Sequence, residues 1–495
     1  MSLKRKTISG VFWTFSQQFG VQLVNIIAQL ILARLLLPEA FGLIALIQIF
    51  LAIGQAISDG GMTASLIRSK NLEQSDYSTV FFINISTSIF LYFLFYFSAP
   101  LIAIFFHLPE MILIVRVYCI FFIIQALVGV HSAKLTIAMN FKLQAYIQIF
   151  ASLLGGIVGI LLAFDGWGVW SLVWMRLSTT IVFMILLWFR LDWRPDFILD
   201  YKKLKYHFQF GYKLTLSSLL TSIYYNLYNV IIGRFFSVSQ LGYYNQADTL
   251  KMFPVQNLTM VIQKVTFPVF STLQNNDEQL KSIFQRITLM VFYVICPIMI
   301  FLCLVAEPLI KILLTEKWLP AVPYFQILSL FAIVYPISIY TLNIILAKGK
   351  SGLHFKLEVI KKLGSSIFLF LIIPFGMYGV VYAAALSMLV HAIVNCYVGG
   401  KLIRYPLIEQ FKNVFPILIM GGVSGMITYF SYNFLFHGLD INNSWIFIGG
   451  NFFIFFFIYM VFSIIINSRS LNEIKLIFYE IKNMRYSNID KNETN

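Results

Sequence analysis

The chain has 495 residues, 59% of them hydrophobic and only 12% charged, about half the charged share of a soluble domain. No globular core could hide that much apolar surface, which excludes a soluble enzyme and makes lipid the expected solvent. The net charge of +15 is scattered through short connections between apolar runs. That is the positive-inside pattern of a membrane protein, not a basic patch for nucleic acid.

A spanning helix needs about 20 mostly apolar residues. Such runs predict spans near 10–33, 41–66, 78–99, 112–134, 145–164, 168–189, 211–233, 241–268, 286–306, 322–346, 358–375, 378–399, 413–435 and 445–467. The fold class is therefore an all-α polytopic membrane protein of about fourteen transmembrane helices. The opening "MSLKRKTISGVFWTF" is basic and then apolar without a small-residue cleavage site, so it reads as a retained first helix. The first, second, seventh and eighth spans are the least hydrophobic, interrupted by Gln, Asn, Arg and Asp.

One set of connections carries Lys4, Arg5, Lys6, Arg68, Lys70, Lys142, Arg190, Arg194, Lys281, Arg286, Lys348, Lys350, Lys401 and Arg404. The alternate set is nearly bare of Lys and Arg. This alternation predicts an even number of spans with both termini cytoplasmic. The connection "RLDWRPDFILDYKKLKYHFQF" and the tail segment "SLNEIKLIFYEIKNMRY" alternate charged with apolar residues and are expected along the membrane surface.

The chain repeats itself weakly. "ILARLLLPEAFGLI" and "IIGRFFSVSQLGYY" align Arg34 with Arg234 and Gly42 with Gly242. Similar matches follow at Phe141 and Phe355, and at Gly166 and Gly376. Their shared order predicts a parallel repeat. The organisation is a six-helix bundle over 1–200, a second over 201–400, two additional helices over 401–467, and a cytoplasmic tail over 468–495.

Polar groups at membrane depth are costly and face an interior or a watery cavity. Gln18, Gln22, Asn25 and Gln29 are spaced four, three and four apart, which is one face of the first helix. The eighth helix adds Gln246, Asp248, Lys251 and Lys264, and the second adds Asp59. Asp248 and Lys251 are three apart and suited to pair with each other. Cations outnumber carboxylates within the spans, so such a cavity would draw an anion such as a phosphate or diphosphate. Arg34, Arg116, Arg176 and Arg234 are the candidate arginines, with snorkelling to headgroups as the alternative.

Other motifs are weak. "GKS" at Gly349–Ser351 lacks the upstream glycine of a phosphate loop. Gly155/Gly159 and Gly421/Gly425 have helix-packing spacing. The four cysteines and six histidines show no metal-ligand spacing, and His391 reads as a packing residue. No catalytic group, metal site or cofactor is expected.

"ARLLLPEAFGLIAL", "SDGG" and "LGYYNQADTLKMFPVQNLTMVIQKVTFPVFSTLQ" resemble Wzx-type polysaccharide flippases. These lie within the multidrug/oligosaccharidyl-lipid/polysaccharide exporter superfamily, and the resemblance is to the colanic-acid and teichuronic-acid exporter branch. It implies two six-helix bundles around a cationic cavity that opens alternately to each face of a bacterial cytoplasmic (inner) membrane. The cargo it implies is an undecaprenyl-diphosphate-linked oligosaccharide. By motif position Arg34 and Arg234 would bind it; Arg116, Arg176, Lys251 and Lys264 are looser carry-overs. Gln246 stands where many relatives carry a basic residue. Expected partners are the lipid-linked oligosaccharide, membrane lipids, a polysaccharide polymerase and chain-length proteins, but no nucleic acid; the expected state is a monomer. Two alternatives stand: a cation-coupled multidrug exporter using Asp59 and Asp248, and a membrane polysaccharide polymerase or ligase.

Overall fold

The computed structural model describes residues 3–436 and 444–466. The tail segment read as a surface helix lies outside the described residues. The chain divides into two compact units, Met1–Asn245 and Gln246–Asn495.

The first unit contains α1 (Leu3–Leu35), α2 (Pro38–Asp59), α3 (Met62–Arg68), α4 (Gln74–Phe106), α5 (Met111–Tyr118), α6 (Ile120–Ile137), α7 (Phe141–Phe164), α8 (Val169–Arg190) and α9 (Tyr201–Phe235). It also contains the first turns of α10 (Val238–Thr272). Helix starts follow their caps: Asn140 accepts from the Leu143 amide, Asp200 accepts from Lys202 and Lys203, and Glu73 with Asp76 forms a capping box. Small residues let helices close up. A Cβ on Gly155 would lie 1.9 Å from the Thr179 hydroxyl, and one on Gly159 2.7 Å from the Met175 Cβ. The expected packing role of this glycine pair is thus observed, between α7 and α8.

Residues 191–200, part of the connection expected along the membrane surface, form no helix. They run beneath α4, held there by Asp196 N–H on the Ser78 hydroxyl and Asp200 N–H on the Thr79 hydroxyl, both at 3.0 Å. Pro195 lacks an N–H and disfavours helix before it, and α4's hydroxyls take the strand-like amides instead. From Tyr201 the chain is continuous helix to Phe235.

The second unit continues α10 and adds α11 (Asp277–Leu304), α12 (Ala306–Leu314), α13 (Val322–Ala332), α14 (Tyr335–Ala347), α15 (Ser351–Ile372), α16 (Gly376–Leu402), α17 (Leu407–Phe436) and α18 (Ser444–Ile465). Its main core joins Phe284, Phe292, Met299, Tyr340, Ile344 and Tyr405. Gly421 and Gly425 of α17 lie on Ile300 of α11, again the expected packing. Gly349 turns with φ +71° and Ser351 opens α15, so only Gly349 and Lys350 of "GKS" lie in the loop.

Eleven helical segments among the described residues are long and apolar enough to cross a membrane. One of them, Ser351–Leu402, holds both α15 and α16. Neither α9 nor α10 is among the eleven, because each interrupts its apolar residues with amides and lysines.

Candidate functional site

In the first unit α1 packs chiefly on α7. Gly20 meets Ile149, Ala28 meets Gly156, and the Trp13 and Tyr146 rings lie 5.3 Å apart. At 3.6 residues per turn, Gln18, Gln22, Asn25 and Gln29 fall on the side of α1 turned away from that contact. Gln18 and Asn25 are exposed, Gln22 and Gln29 half-buried. The four amides therefore do not form the α1–α7 seam. They make a ladder of donors and acceptors about 16 Å long, from a rise of 1.5 Å per residue.

Arg34 lies in the last turn of α1 and is exposed. Arg234 lies in the last turn of α9. The repeat alignment is reproduced in the backbone: each helix ends one residue after its arginine, and after a two-residue break the next begins. Arg234 is already engaged. Its guanidinium donates to the Phe105 carbonyl and to His107 Nε2, and lies 5.0 Å from the Phe105 ring centroid.

Arg116 donates to the Tyr96 carbonyl at 3.4 Å and lies 4.4 Å from that tyrosine's ring. Arg176, in the middle of α8, is exposed and lies 5.4 Å from the Phe121 ring. No carboxylate pairs with Arg176 among the described residues. An aromatic face holds a guanidinium without neutralising it, so Arg176 keeps its charge and its fork for an anion.

The α10 residues divide. Lys251 is wholly buried, with its ammonium 2.7 Å from Asp248 Oδ1 and 3.9 Å from the Met388 sulfur. The i,i+3 pair foreseen from spacing is formed, and the charge that Lys251 would offer an anion is spent on it. Gln246 is buried as well. The Lys264 side chain lies outside the described residues. Asp59 ends α2, within reach of the Gly61 and Thr63 backbone amides. Both carboxylates proposed for ion coupling thus have partners. The described residues contain no group of three His, Cys, Asp or Glu able to hold a metal.

Two polar clusters escaped the sequence reading. In the first unit, buried His207 of α9 sits between Ser65 Oγ, 2.8 Å from Nδ1, and Asp76 Oδ1, 3.2 Å from Nε2. Lys203 adds ion pairs to Asp76 at 2.9 Å and Glu73 at 2.6 Å. Burial pushes the His207 imidazole below its ordinary value, against the opposing pull of Asp76. The hydrogen bond to Glu73 leads the partners that raise the Lys203 ammonium. In the second unit, buried Lys361 of α15 pairs with Glu358 and donates to Asn395 Oδ1 of α16 at 2.9 Å. Asn395 in turn donates to the Ser338 hydroxyl of α14 at 2.7 Å. His391 Nε2 lies 3.3 Å from the Lys361 carbonyl, a packing contact as expected. Only the i,i+3 spacing of Glu358 and Lys361 signalled the second cluster in sequence.

A family model described as polysaccharide biosynthesis protein matches residues 31–323. The teichuronic acid biosynthesis protein TuaB of Bacillus subtilis is 26% identical over 437 residues, covering 86% of this chain and 89% of that one. The lipopolysaccharide biosynthesis protein WzxC of Escherichia coli is 22% identical over 390 residues, 78% of each chain. Among solved structures, a lipid II flippase MurJ in an inward closed conformation gives a TM-score of 0.73 at 13% identity, covering 92% of this chain and 98% of that one. An inward-facing multidrug resistance MATE family transporter gives 0.60 at 18% identity, covering 78% and 94%. The two structures speak for the fold alone.

Proposed function

This chain belongs to the polysaccharide biosynthesis protein family, within the Wzx-type branch of the exporter superfamily, and from that premise we propose that it flips an undecaprenyl-diphosphate-linked oligosaccharide across the bacterial cytoplasmic membrane. It is a multi-pass transporter rather than an enzyme. The lipid tail stays in the bilayer while the headgroup crosses by alternating access, for surface polysaccharide biosynthesis. The amide face of α1 carries the reading: four polar side chains turned away from the helix's own packing seam are costly in lipid and suited to sugar hydroxyls. We assign Arg34, Arg116, Arg176 and Arg234 to the diphosphate, each exchanging the contacts it now makes for the headgroup.

We read fourteen spans: α15 and α16 count separately, and α9 and α10 cross despite their amides because they face protein and cargo. An even count leaves both termini cytoplasmic. We take the halves from the sequence repeat, at 1–200 and 201–400, with 401–467 added. The chain works as a monomer beside a polymerase and chain-length proteins. Deleting the gene is expected to remove surface polysaccharide and accumulate the lipid-linked unit in the inner leaflet. Intact polysaccharide without accumulation would refute the assignment. The multidrug-exporter alternative loses ground because Asp248 is paired with Lys251.

A further inference from the structure

We infer that His107 is a proton-binding site that governs whether Arg234 is available to an anion. The inference rests on the cargo reading above, in which Arg234 serves the diphosphate and the end of α4 faces outward.

His107 follows the last residue of α4 with φ +58°, a left-handed conformation that usually falls to glycine at a helix end. Its amide and the next close the helix onto Ala103 and Ile104. The backbone asks for glycine, yet an imidazole stands there, exposed to solvent and 2.5 Å from the Arg234 guanidinium. A guanidinium only donates. An imidazole nitrogen accepts only when it carries no proton, so the contact requires neutral His107. Protonation would set two cations against each other and turn the acceptor into a donor.

The free carbonyls at the end of α4 hold Arg234 through Phe105, but one carbonyl and an aromatic face leave much of the fork unused. Arg234 has no carboxylate partner among the described residues. The other charged or imidazole side chains on the elements packed around α4 are Glu39 and Asp59 of α2, Arg68 of α3, Glu110 and Arg116 at α5, His131 and Lys134 toward the far end of α6, and Lys202, Lys203, Lys205, His207 and Lys213 in the first half of α9; Glu39 accepts from Ser239. None of these has a hydrogen bond to His107 in the structure. A proton arriving from the outer side would dislodge Arg234 from His107 and free its N–H donors for the headgroup.

The test uses the full chain in lipid nanodiscs and measures binding of undecaprenyl diphosphate at an acid pH of about 5.5 and an alkaline pH of about 8. The probe's own titration is common to every variant, so wild type minus variant is read. Relative to His107→Gln, wild type should bind several-fold more tightly at the acid pH and equally at the alkaline one. His107→Lys, with a fixed charge, should bind at the alkaline pH as tightly as wild type does at the acid one, and Arg234→Ala should lose the acid gain. The same pH slope in wild type and His107→Gln would overturn the switch while leaving the cargo reading intact. No binding by wild type at either pH would overturn the cargo reading itself.

Discussion

Gly42 and Gly242 each receive the backbone of the other's helix start. A Cβ on Gly42 would lie 2.1 Å from the Val238 carbonyl oxygen, and a Cβ on Gly242 would lie 2.1 Å from the Pro38 carbonyl oxygen. The contact is reciprocal between positions the sequence repeat pairs, and Ser239 adds a hydrogen bond to Glu39 at 2.7 Å. The first turns of α2 and α10 therefore meet at backbone distance at both glycines, with the Val238 side chain beside Gly42. Gly42→Ala and Gly242→Ala should each cost about 1–3 kcal/mol through overpacking, seen as a lower melting temperature in detergent. Gly352→Ala, where nothing lies within 4 Å of the added carbon, should be neutral or stabilising by up to about 1 kcal/mol. Equal stability of all three would contradict the crossing.

The start of α9 is expected to loosen in acid. Burial lowers His207 in the folded chain, so the neutral form belongs to the anchored state. Its contribution is present above the ordinary histidine value and is lost as pH falls through the lowered folded value. Hydrogen exchange over residues 201–211 should accelerate toward acid in the wild type. Lys203→Ala should raise exchange there even at neutral pH, because it removes two ion pairs. Unchanged exchange in both cases would remove the anchor.

Lys251 and Arg176 should separate by phenotype. Lys251→Ala strands Asp248, whose side chain is 41% exposed, so the loss is discounted from that of a fully buried pair to about 1–3 kcal/mol. Pairing it with Asp248→Asn should restore much of the melting temperature. Arg176→Ala breaks no ion pair among the described residues and should lower export severalfold at unchanged stability. Export lost in Lys251→Ala at wild-type stability would instead make Lys251 a cargo ligand.

The sequence exposed features whose signal is local. The apolar runs, the repeated break after Arg34 and Arg234, the Asp248–Lys251 spacing and the Gly155/Gly159 seam all depend on neighbours within a turn or a span. What stayed hidden depends on other helices. His207 finds Asp76 from 131 residues away, Arg234 finds His107 from 127 away, and Lys361 finds Asn395 from 34 away. The helix-free course of 191–200 stayed hidden because the Ser78 and Thr79 hydroxyls that bind its amides lie on α4. Among the arginines the sequence could count charges but not separate occupied Arg234 from uncompensated Arg176.

The most direct test reconstitutes the purified chain in proteoliposomes and follows an undecaprenyl-diphosphate-linked oligosaccharide from one leaflet to the other. Wild type should move it. Arg34→Ala and Arg234→Ala should each slow transfer about tenfold, a loss on the order of 1.4 kcal/mol, and Lys350→Ala in the loop before α15 should not. Equal transfer by all four proteins, or none by wild type above empty liposomes, would contradict the account.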